Sequence, residues 1–424
     1  MELKAKQRAA ILKVTIVHGF FSPQTKLGGW RNCRFPIVAR RFKHWRFHLW
    51  RARIPPCSAI RRFLPEGKGG RHITSSIDNQ QSSIGNLEEL PGCMTSYRVL
   101  VVTNIWPYEG DPSYGCFVKA QMDSLRPLGV DYDCFFFNGR ESRWNYLRAL
   151  PKMWQLLRDR RYDLIHAHQG LSALVARCQF SLPLVISFMG DDVTGITKGT
   201  DHIPLFGRFY QLSSFILARM AAAVIVKTAE MKRCLKLSSV RVIPNGVDLD
   251  LFSPCGQAEA RRELGLDAQQ KFVLFPYDAR DPRKRFDLVE SAVAQARQAI
   301  PELEILRVHG MPQSRIPLYM NAADVLVMAS QFEGSPNAVK EAMATNLPVV
   351  GVDVGDTADL IGQTEGCHLV RRDAGEIAAK VIEVCRRGTR TRGRDRIAKL
   401  SIANVARQIV QVYSSVVPQC RLSS

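Results

Sequence analysis

The chain has 424 residues, of which 46% are hydrophobic and 23% charged. This composition is that of a globular protein, and the length predicts two or three domains with sizeable cores. No run of about 18 apolar residues occurs, so we expect no transmembrane helix. The eleven cysteines show no C-x-x-C pairs and no histidines at zinc spacing. That pattern argues against a disulfide framework or a zinc site and favours reduced thiols in a cytoplasm.

The net charge of +20 is concentrated in residues 1–93, which hold 17 Lys and Arg against 5 Asp and Glu. The basic stretch Ala39–Arg53 includes Trp45 and Trp50, a mixture that can bind nucleic acid or anionic lipid. However, Met94 stands four residues before the first convincing strand. We therefore predict that residues 1–93 are a disordered or non-native extension. A membrane or partner tether and a nucleic-acid-binding segment are the alternatives.

From Arg98 onward, short apolar runs alternate with helical periodicity. Phe286, Val289, Val293 and Ala296, for example, are spaced to line one face of a helix. Continuous apolar strands separated by helices are typical of parallel sheets covered on both sides. The runs that predict strands are Val99–Val102, Asp163–Ala167, Leu184–Phe188, Ala223–Val226, Phe272–Phe275, Leu303–Val308, Val325–Met328 and Pro348–Val352.

The predicted fold class is α/β, with two Rossmann-like, doubly wound parallel-sheet domains facing across a cleft. The loop Ile243–Phe252 divides an N-terminal domain, residues 94–245, from a C-terminal domain, residues 246–400. We expect the last helix, residues 401–416, to pack back on the N-terminal domain. Ligands of such sheets bind at the carboxyl ends of the strands, so a cleft between two sheets can hold two substrates.

Three segments of the N-terminal domain lie where strands are predicted to end. The loop Asn104–Val118 follows the first strand and contains Gly115, which permits close approach to a ligand. His166 and His168 share one face of their strand. Without a third ligand nearby, we predict a packed core position for His166 and a cleft position for His168 rather than a metal site.

The third segment is Phe188–Val193, with the sequence FMGDDV. Its adjacent carboxylates, Asp191 and Asp192, could hold a metal that binds a diphosphate. The family resemblance of the C-terminal motifs, given below, implies that basic residues and helix amides bind the diphosphate instead. The sequence therefore predicts neither a metal nor another cofactor.

Two segments of the C-terminal domain carry the remaining candidates. Phe275–Phe286, FPYDARDPRKRF, is basic at a predicted helix start, where the helix dipole prefers anions. Phe332–Gly355 begins with Glu333 and Glu341, eight residues apart. A helix that starts between these two carboxylates offers amides to a phosphate and carboxylates to hydroxyl groups. Pro336 fits its first turn, and Ser335 and Asn337 are residue types that cap helices.

The string FEGSPNAVKEA and the loop IPNGVD resemble the retaining family 4 glycosyltransferases, which have the GT-B fold. The resemblance covers residues 95–416, and the PSYG, FMGDD and EGSPN variants look most like bacterial enzymes of polysaccharide biosynthesis. It implies that Glu333 contacts the donor sugar and Glu341 the nucleotide ribose. It also implies that Lys284 and Arg280 neutralise the diphosphate, with Arg283 and Arg285 as competitors for the arginine role.

Further site residues follow from the same resemblance. Gly115 matches a glycine near the donor phosphates and the acceptor, and Asp192 matches the Asp of an HGxD pattern in which Met189 replaces the sugar-contacting His. The residues implied to bind the donor or to line the acceptor side of the cleft are Gly115, Gly334, Ser335, Pro336, Asn337, His168, Met189 and Asp192.

The resulting functional prediction is a retaining, hexosyltransferase-type glycosyltransferase. It would move a sugar from a nucleotide-diphosphate donor to a hydroxyl of a glycan or lipid-linked acceptor, in exopolysaccharide or cell-wall glycan biosynthesis. We expect the protein in the cytoplasm, in peripheral contact with an anionic membrane at its inner face. A sugar-nucleotide epimerase of the same fold is one alternative. A nucleic-acid-binding protein is the other, although we do not expect nucleic acid as a partner.

Overall fold

The computed structural model describes residues 96–195 and 205–417, and these belong to one compact unit. They form two parallel sheets of six and five strands with helices between the strands. The predicted α/β fold class is therefore confirmed. The prediction for residues 1–93 lies outside the described residues. Within the described ranges, no helix is long and apolar enough to cross a bilayer.

The first sheet has the strand order β2-β1-β3-β4-β5-β6, with every pair parallel. Its strands and helices are, in chain order, β1 (Tyr97–Thr103), α1 (Cys116–Asp123), β2 (Val130–Phe136), α2 (Trp144–Asp159), β3 (Leu164–His168), α3 (Gly170–Ala176), β4 (Leu184–Ser187), α4 (Asp191–Thr194), α5 (Leu205–Met220), β5 (Ala223–Val226), α6 (Ala229–Leu235) and β6 (Val240–Val242).

The second sheet has the order β11-β10-β9-β7-β8, also parallel throughout. Its elements are α7 (Gln257–Leu264), β7 (Lys271–Phe275), α8 (Phe286–Ala296), β8 (Leu303–Arg307), α9 (Ile316–Ala322), β9 (Val325–Met328), α10 (Asn337–Ala344), β10 (Val349–Val352), α11 (Thr357–Ile361), β11 (His368–Val370), α12 (Ala374–Arg387) and α13 (Gly393–Ile397). The final helix is α14 (Ile402–Val416).

All eight strands expected from apolar runs are present, and the structure adds three that were not predicted: β2, β6 and β11. Each of these three lies at the edge of its sheet. β2 is only partly buried after its first residues, and β6 and β11 have three residues each. Edge strands are buried on fewer sides than central ones, so their sequences lack the continuous apolar run that marks a central strand.

The chain passes between the two sheets twice, at neighbouring positions. The Val247 amide donates to the Leu400 carbonyl at 2.9 Å, and the Ile402 amide donates to the Val247 carbonyl at 2.8 Å. After the second crossing, α14 buries Val405, Ile409 and Tyr413 in the same core as residues of β1. The last helix thus contributes to the core of the first sheet.

The topology fixes where a ligand can bind. In the first sheet, successive strands are added outward in opposite directions on either side of the β1–β3 pair. In the second sheet, the same switch in strand order lies between β7 and β9. Loops that follow such strands diverge, and they leave a crevice at the carboxyl edge of the sheet. The segments singled out in the sequence follow these strands or β4, the neighbour of β3.

Candidate active site

The centre of the site is an ion pair between two loops of the C-terminal sheet. Lys284, on the loop after β7, donates to the carboxylate of Glu333, on the loop after β9. The lysine ammonium also lies 4.3 Å from the ring centroid of Tyr277. Both charged side chains are largely buried, with 19% and 16% exposed. The two sequence motifs therefore meet at the crevice that the strand order creates.

Tyr277 connects this pair with Glu341. Its hydroxyl is buried and has no hydrogen-bond partner within residues 96–195 and 205–417. Burial, followed by the charges of Glu333 and Glu341, raises the pKa of Tyr277 well above its usual range. The charges of both glutamates therefore act on the Tyr277 hydroxyl, and this hydroxyl is neutral at physiological pH.

The two candidate arginines lie in different environments. The guanidinium of Arg280 pairs with Asp278 on its own loop, and 84% of its side chain is exposed. Arg283 pairs with Asp281 at 2.7 Å and lies 3.6 Å from Asp191 of the N-terminal sheet. The structure thus brings Arg283 to the cleft and leaves Arg280 outside it.

Gly190 and Gly334 allow loops from the two sheets to touch through their backbones, and Gly355 allows a similar contact between two loops of the second sheet. A Cβ atom on Gly190 would lie 3.3 Å from the Cα of Gly334, and one on Gly334 would collide with the carbonyl oxygen of Met189. Gly355, at φ 59°, approaches the carbonyls of Glu333 and Gly334 in the same way. The FMGDD loop therefore packs directly on the loop that carries Glu333.

Asp192 holds the FMGDD loop in this position. Its carboxylate is fully buried and accepts hydrogen bonds from the amides of Met189, Gly190 and Gly170 at 2.9–3.2 Å. Burial raises its pKa to about 6 despite these bonds. Asp192 thus fixes the backbone of the loop. In this position the carbonyl group of Met189 points toward Gly334 of the C-terminal domain.

Residues at the start of α10 form a buried polar chain. Lys340 is fully buried and donates to the Ser335 hydroxyl and to the Asn245 carbonyl, both at 2.9 Å. Ser335 in turn donates to Asp356 at 2.7 Å. This chain joins the start of α10 to the loop where the chain crosses between the sheets.

The predicted helix caps are wrong. Helix α10 begins at Asn337 after Pro336, without a side-chain cap, and Pro336 therefore precedes the first turn. The hydroxyl of Ser335 is engaged with Lys340 and Asp356, and the Asn337 side chain accepts from Asn245 at 3.2 Å. The buried Lys340 takes the Ser335 hydroxyl as an acceptor, because an ammonium group in the interior requires acceptors.

Glu341 lies on α10, close to the N-terminal domain. Burial raises its pKa to about 7, against the opposing influence of Lys340 and of a hydrogen bond from Gln313. Its charge contributes, after burial, to raising the pKa of Cys116 to about 11. Because Cys116 is the first residue of α1, directly after Gly115, the start of α1 and Glu341 lie near each other. A cavity lined by Phe117, Gly246 and Glu341 lies at this position.

His166 and His168 are both fully buried on one face of β3, with ring centroids 4.2 Å apart. His166 contacts the Tyr413 hydroxyl at 2.7 Å and the Ser187 hydroxyl at 2.8 Å. Among the described residues, His168 has no hydrogen-bond partner on either ring nitrogen. Its side chain is fully buried rather than exposed in the cleft, where the sequence placed it. Burial, His166 and Lys227 hold its pKa well below the usual range, so the ring is neutral.

Sequence comparisons match both halves of the chain to glycosyltransferase families. Residues 96–251 match the family model described as Glycosyltransferase Family 4, and residues 282–387 match Glycosyl transferases group 1. The two models together span more than half of the chain. The chain belongs to the family 4 glycosyltransferases.

Two bacterial relatives illustrate the family. A Bacillus subtilis protein named as a teichuronic acid biosynthesis glycosyltransferase, TuaC, is 24% identical to this glycosyltransferase over 67% of the chain and 88% of the relative. An Escherichia coli UDP-Gal:alpha-D-GlcNAc-diphosphoundecaprenol alpha-1,3-galactosyltransferase is 23% identical over 48% of the chain, which spans about 61% of that protein. These relatives give no support to an epimerase or to a nucleic-acid-binding protein.

Solved structures confirm the GT-B fold of this glycosyltransferase. Sucrose-phosphate synthase from Thermosynechococcus elongatus superposes with a TM-score of 0.63 at 21% identity, over 75% of this chain and 98% of the other. Anabaena HepE in complex with UDP-glucose gives a TM-score of 0.57 at 18% identity, over 76% and 100% of the two chains.

Besides the buried Lys340, sequence reasoning missed Tyr277 and Lys227. Tyr277 lies within the basic segment Phe275–Phe286, but nothing in the sequence indicates that its ring would lie against Lys284. Lys227, at the end of β5, is almost fully buried, and burial followed by the charge of Lys340 lowers its pKa to about 7. A lysine directly after a buried strand was the available signal for this second residue.

Proposed function

We propose that this glycosyltransferase transfers a hexose from a nucleotide-diphosphate sugar to a hydroxyl of a glycan or lipid-linked acceptor, with retention of anomeric configuration. The process it serves is the biosynthesis of exopolysaccharide or of a cell-wall glycan. The names of the two bacterial relatives support this process and this acceptor class. The observation that carries the proposal is the meeting of Lys284 and Glu333 at the crevice of the C-terminal sheet.

The chemical need in such a transfer is to stabilise the departing nucleotide diphosphate, which gains negative charge as the glycosidic bond breaks. Lys284 and Arg283 provide two cations in the cleft. When the diphosphate binds, Lys284 exchanges Glu333 for a phosphate oxygen, and charge-assisted hydrogen bonds of this kind are strong. We therefore assign Arg283, rather than Arg280, to the arginine role.

The released carboxylate of Glu333 then accepts hydrogen bonds from the hydroxyls of the donor sugar. Glu341 accepts from the ribose hydroxyls, and the backbone of Gly334–Asn337 with Gly115 lies along the phosphates. Met189 lies in the opposite wall, and Asp192 acts by holding the loop of that wall. His168 is fully buried at the end of β3 and does not line the wall itself. Neither a metal nor another cofactor takes part in this scheme.

Retention is proposed from the resemblance to the retaining family 4 glycosyltransferases, and the state of the carboxylates disfavours a double displacement as its route. A double displacement needs a nucleophile that is free to attack the anomeric carbon. In this scheme the released Glu333 is engaged by the hydroxyls of the donor sugar, and Asp192 is held by three backbone amides. Attack of the acceptor from the face that the diphosphate leaves accounts for retention without such a nucleophile.

The test uses the full chain and panels of UDP-, GDP- and ADP-sugars. We expect thermal stabilisation by one nucleotide class and slow hydrolysis of its sugar, with a released anomer that matches the donor by proton NMR. Release of the inverted anomer would contradict retention, but it would leave the proposed sugar transfer standing. No stabilisation by any nucleotide sugar or free nucleotide would contradict the proposed function.

Contact with an anionic membrane is the last part of the proposal. A lipid-linked acceptor stays at the bilayer surface, so the enzyme must reach it there. On this proposal the protein works at the inner face of a cytoplasmic membrane.

A further inference from the structure

Exposed apolar side chains are concentrated on one part of the N-terminal domain. Among the described residues, twelve large hydrophobic side chains are exposed. Ten of them lie on α2, α3, α5 or the segment that follows α3, and the other two are Val242 and Leu369. Single exposed apolar residues need no explanation, but a contiguous group of this size indicates a binding surface.

Helix α5 presents a continuous apolar stripe to solvent. Its exposed members follow one another at spacings of three or four residues, which places them on one side of the helix. The opposite side is buried through Tyr210, Ser214 and Leu217. The helix is therefore apolar on both sides, although only one side packs against the part of the chain that the structure describes. The exposed stripe is Leu205, Phe209, Leu212, Ile216 and Met220.

Helix α2 carries a second stripe with two tryptophans. Trp144, Leu147 and Trp154 are 67%, 58% and 48% exposed, and Ala149 and Met153 anchor the other side of the helix in the core. Arg148 and Lys152 stand directly beside this stripe and are exposed as well. Tryptophan next to lysine and arginine on an amphipathic helix is typical of helices that lie in a membrane interface.

The two stripes belong to one surface because α3 packs against both α2 and α5. Leu174 of α3 is exposed between them, and Phe180 follows with 72% exposure, stacked by Arg177 at 4.3 Å. We call the exposed apolar residues of α2, α3, α5 and Phe180 the three-helix face.

The charge of these helices selects the kind of partner. Helices α2 and α5 carry Arg148, Lys152, Arg158, Arg208 and Arg219, whereas Asp159 is the one acidic residue on α2, α3 and α5. A face that is apolar in its stripes and basic around them complements an anionic lipid surface, with apolar side chains among the acyl chains and cations at the headgroups.

We propose that the three-helix face binds an anionic lipid bilayer and so sets the cleft beside the membrane. This inference rests on the proposed function for its purpose, which is access to a lipid-linked acceptor. The buried side of α5 supports it, since the Gln211 amide donates to the Val193 carbonyl at 2.9 Å. The face and the FMGDD loop are thus separated by about one helix diameter, roughly 10 Å.

The test is flotation of the full chain with vesicles made of equal parts phosphatidylcholine and phosphatidylglycerol. We expect the Leu147→Ser/Trp154→Ser and Phe209→Ser/Ile216→Ser variants to lose about tenfold or more in vesicle partitioning. The Arg148→Glu/Lys152→Glu variant should lose a similar factor, and wild-type binding should weaken with salt.

The matched control is Val242→Ser/Leu369→Ser, which removes the two exposed apolar residues outside the face and should bind like the wild type. All exchanged positions are exposed, so circular dichroism and thermal unfolding should stay unchanged. Equal vesicle binding by every variant would overturn the proposal. A wild-type dimer that the face variants convert to monomer in sedimentation velocity would also overturn it, because a second copy would then cover the face.

The assay contains neither donor nor acceptor, which separates this inference from the proposed function. Lys284→Ala should bind vesicles like the wild type. The face variants should keep the thermal stabilisation by nucleotide sugar. If they keep it and the wild type does not bind vesicles, the membrane inference fails and the transferase proposal stands.

Discussion

At the scale of single residues, Glu341 links the pH dependence of stability to donor binding. Its pKa is raised to about 7 by burial, so the folded protein binds a proton that the unfolded chain releases near pH 4.5. Stability therefore falls as pH rises from about 4.5 to 7, and above pH 7 the ionised carboxylate imposes its full cost. Binding of the donor should offset the cost of the ionised Glu341 carboxylate, since the ribose hydroxyls would donate hydrogen bonds to it.

We predict that Glu341→Gln stabilises the ligand-free protein at pH 8, on the order of 2 kcal/mol, and changes its stability little at pH 4.5. The same variant should weaken donor binding, because a neutral amide is a poorer acceptor for two hydroxyls. Chemical denaturation at the two pH values and titration calorimetry check both parts. An unchanged donor affinity would remove Glu341 from the ribose site.

Donor binding should also release a proton near pH 7, since binding favours the ionised carboxylate. Calorimetry in buffers of different ionisation enthalpy measures this release directly. In Glu341→Gln the buffer dependence should disappear. A release that persists in the variant would belong to another group.

At the scale of elements, contact between the two domains depends on loops that meet backbone to backbone. Gly334 cannot accept a Cβ without displacing the carbonyl of Met189. Gly334→Ala should therefore separate the FMGDD loop from the Glu333 loop. We expect a loss of about 1–3 kcal/mol in unfolding free energy and a weaker donor complex.

The control for this prediction is Gly256→Ala. Gly256 has a φ of −62°, and a Cβ there would meet the Glu259 side chain at an ordinary 3.7 Å. It should leave stability and donor affinity unchanged. If Gly334→Ala changed stability and donor affinity as little as Gly256→Ala, the contact between the two loops would not be needed.

The sequence predicted elements and site residues with different success, for physical reasons. Central strands such as β4 and β9 are buried on both faces and carry continuous apolar runs, which made them predictable. Lys284 and Glu333 lie in motifs at strand ends, so their placement followed from the topology. The pairing of Arg283 with Asp191 joins residues from different sheets, and no local pattern reports such a contact. Fully buried Lys340 was missed because its two acceptors, Asn245 and Ser335, come from separate segments.

At the scale of the whole molecule, the last helix belongs to the core of the first sheet. Ile409 of α14 is 1% exposed and packs in the same core as Val99 and Val101. Ile409→Ala should lower the unfolding free energy by about 2–4 kcal/mol. Gln411→Ala, an exposed change on the same helix, is the control. A small effect of both in denaturant titrations would place α14 outside the cooperative core.

The central claim is that Lys284 and Arg283 hold the diphosphate of a nucleotide sugar in a cleft that Arg280 does not reach. The most direct measurement is calorimetric titration of the stabilising nucleotide sugar into wild type, Lys284→Ala, Arg283→Ala and Arg280→Ala. We predict that the first two substitutions weaken binding about tenfold or more, as expected for lost charge-assisted hydrogen bonds, while Arg280→Ala binds like the wild type. Loss of affinity in Arg280→Ala with normal affinity in Lys284→Ala would contradict the account.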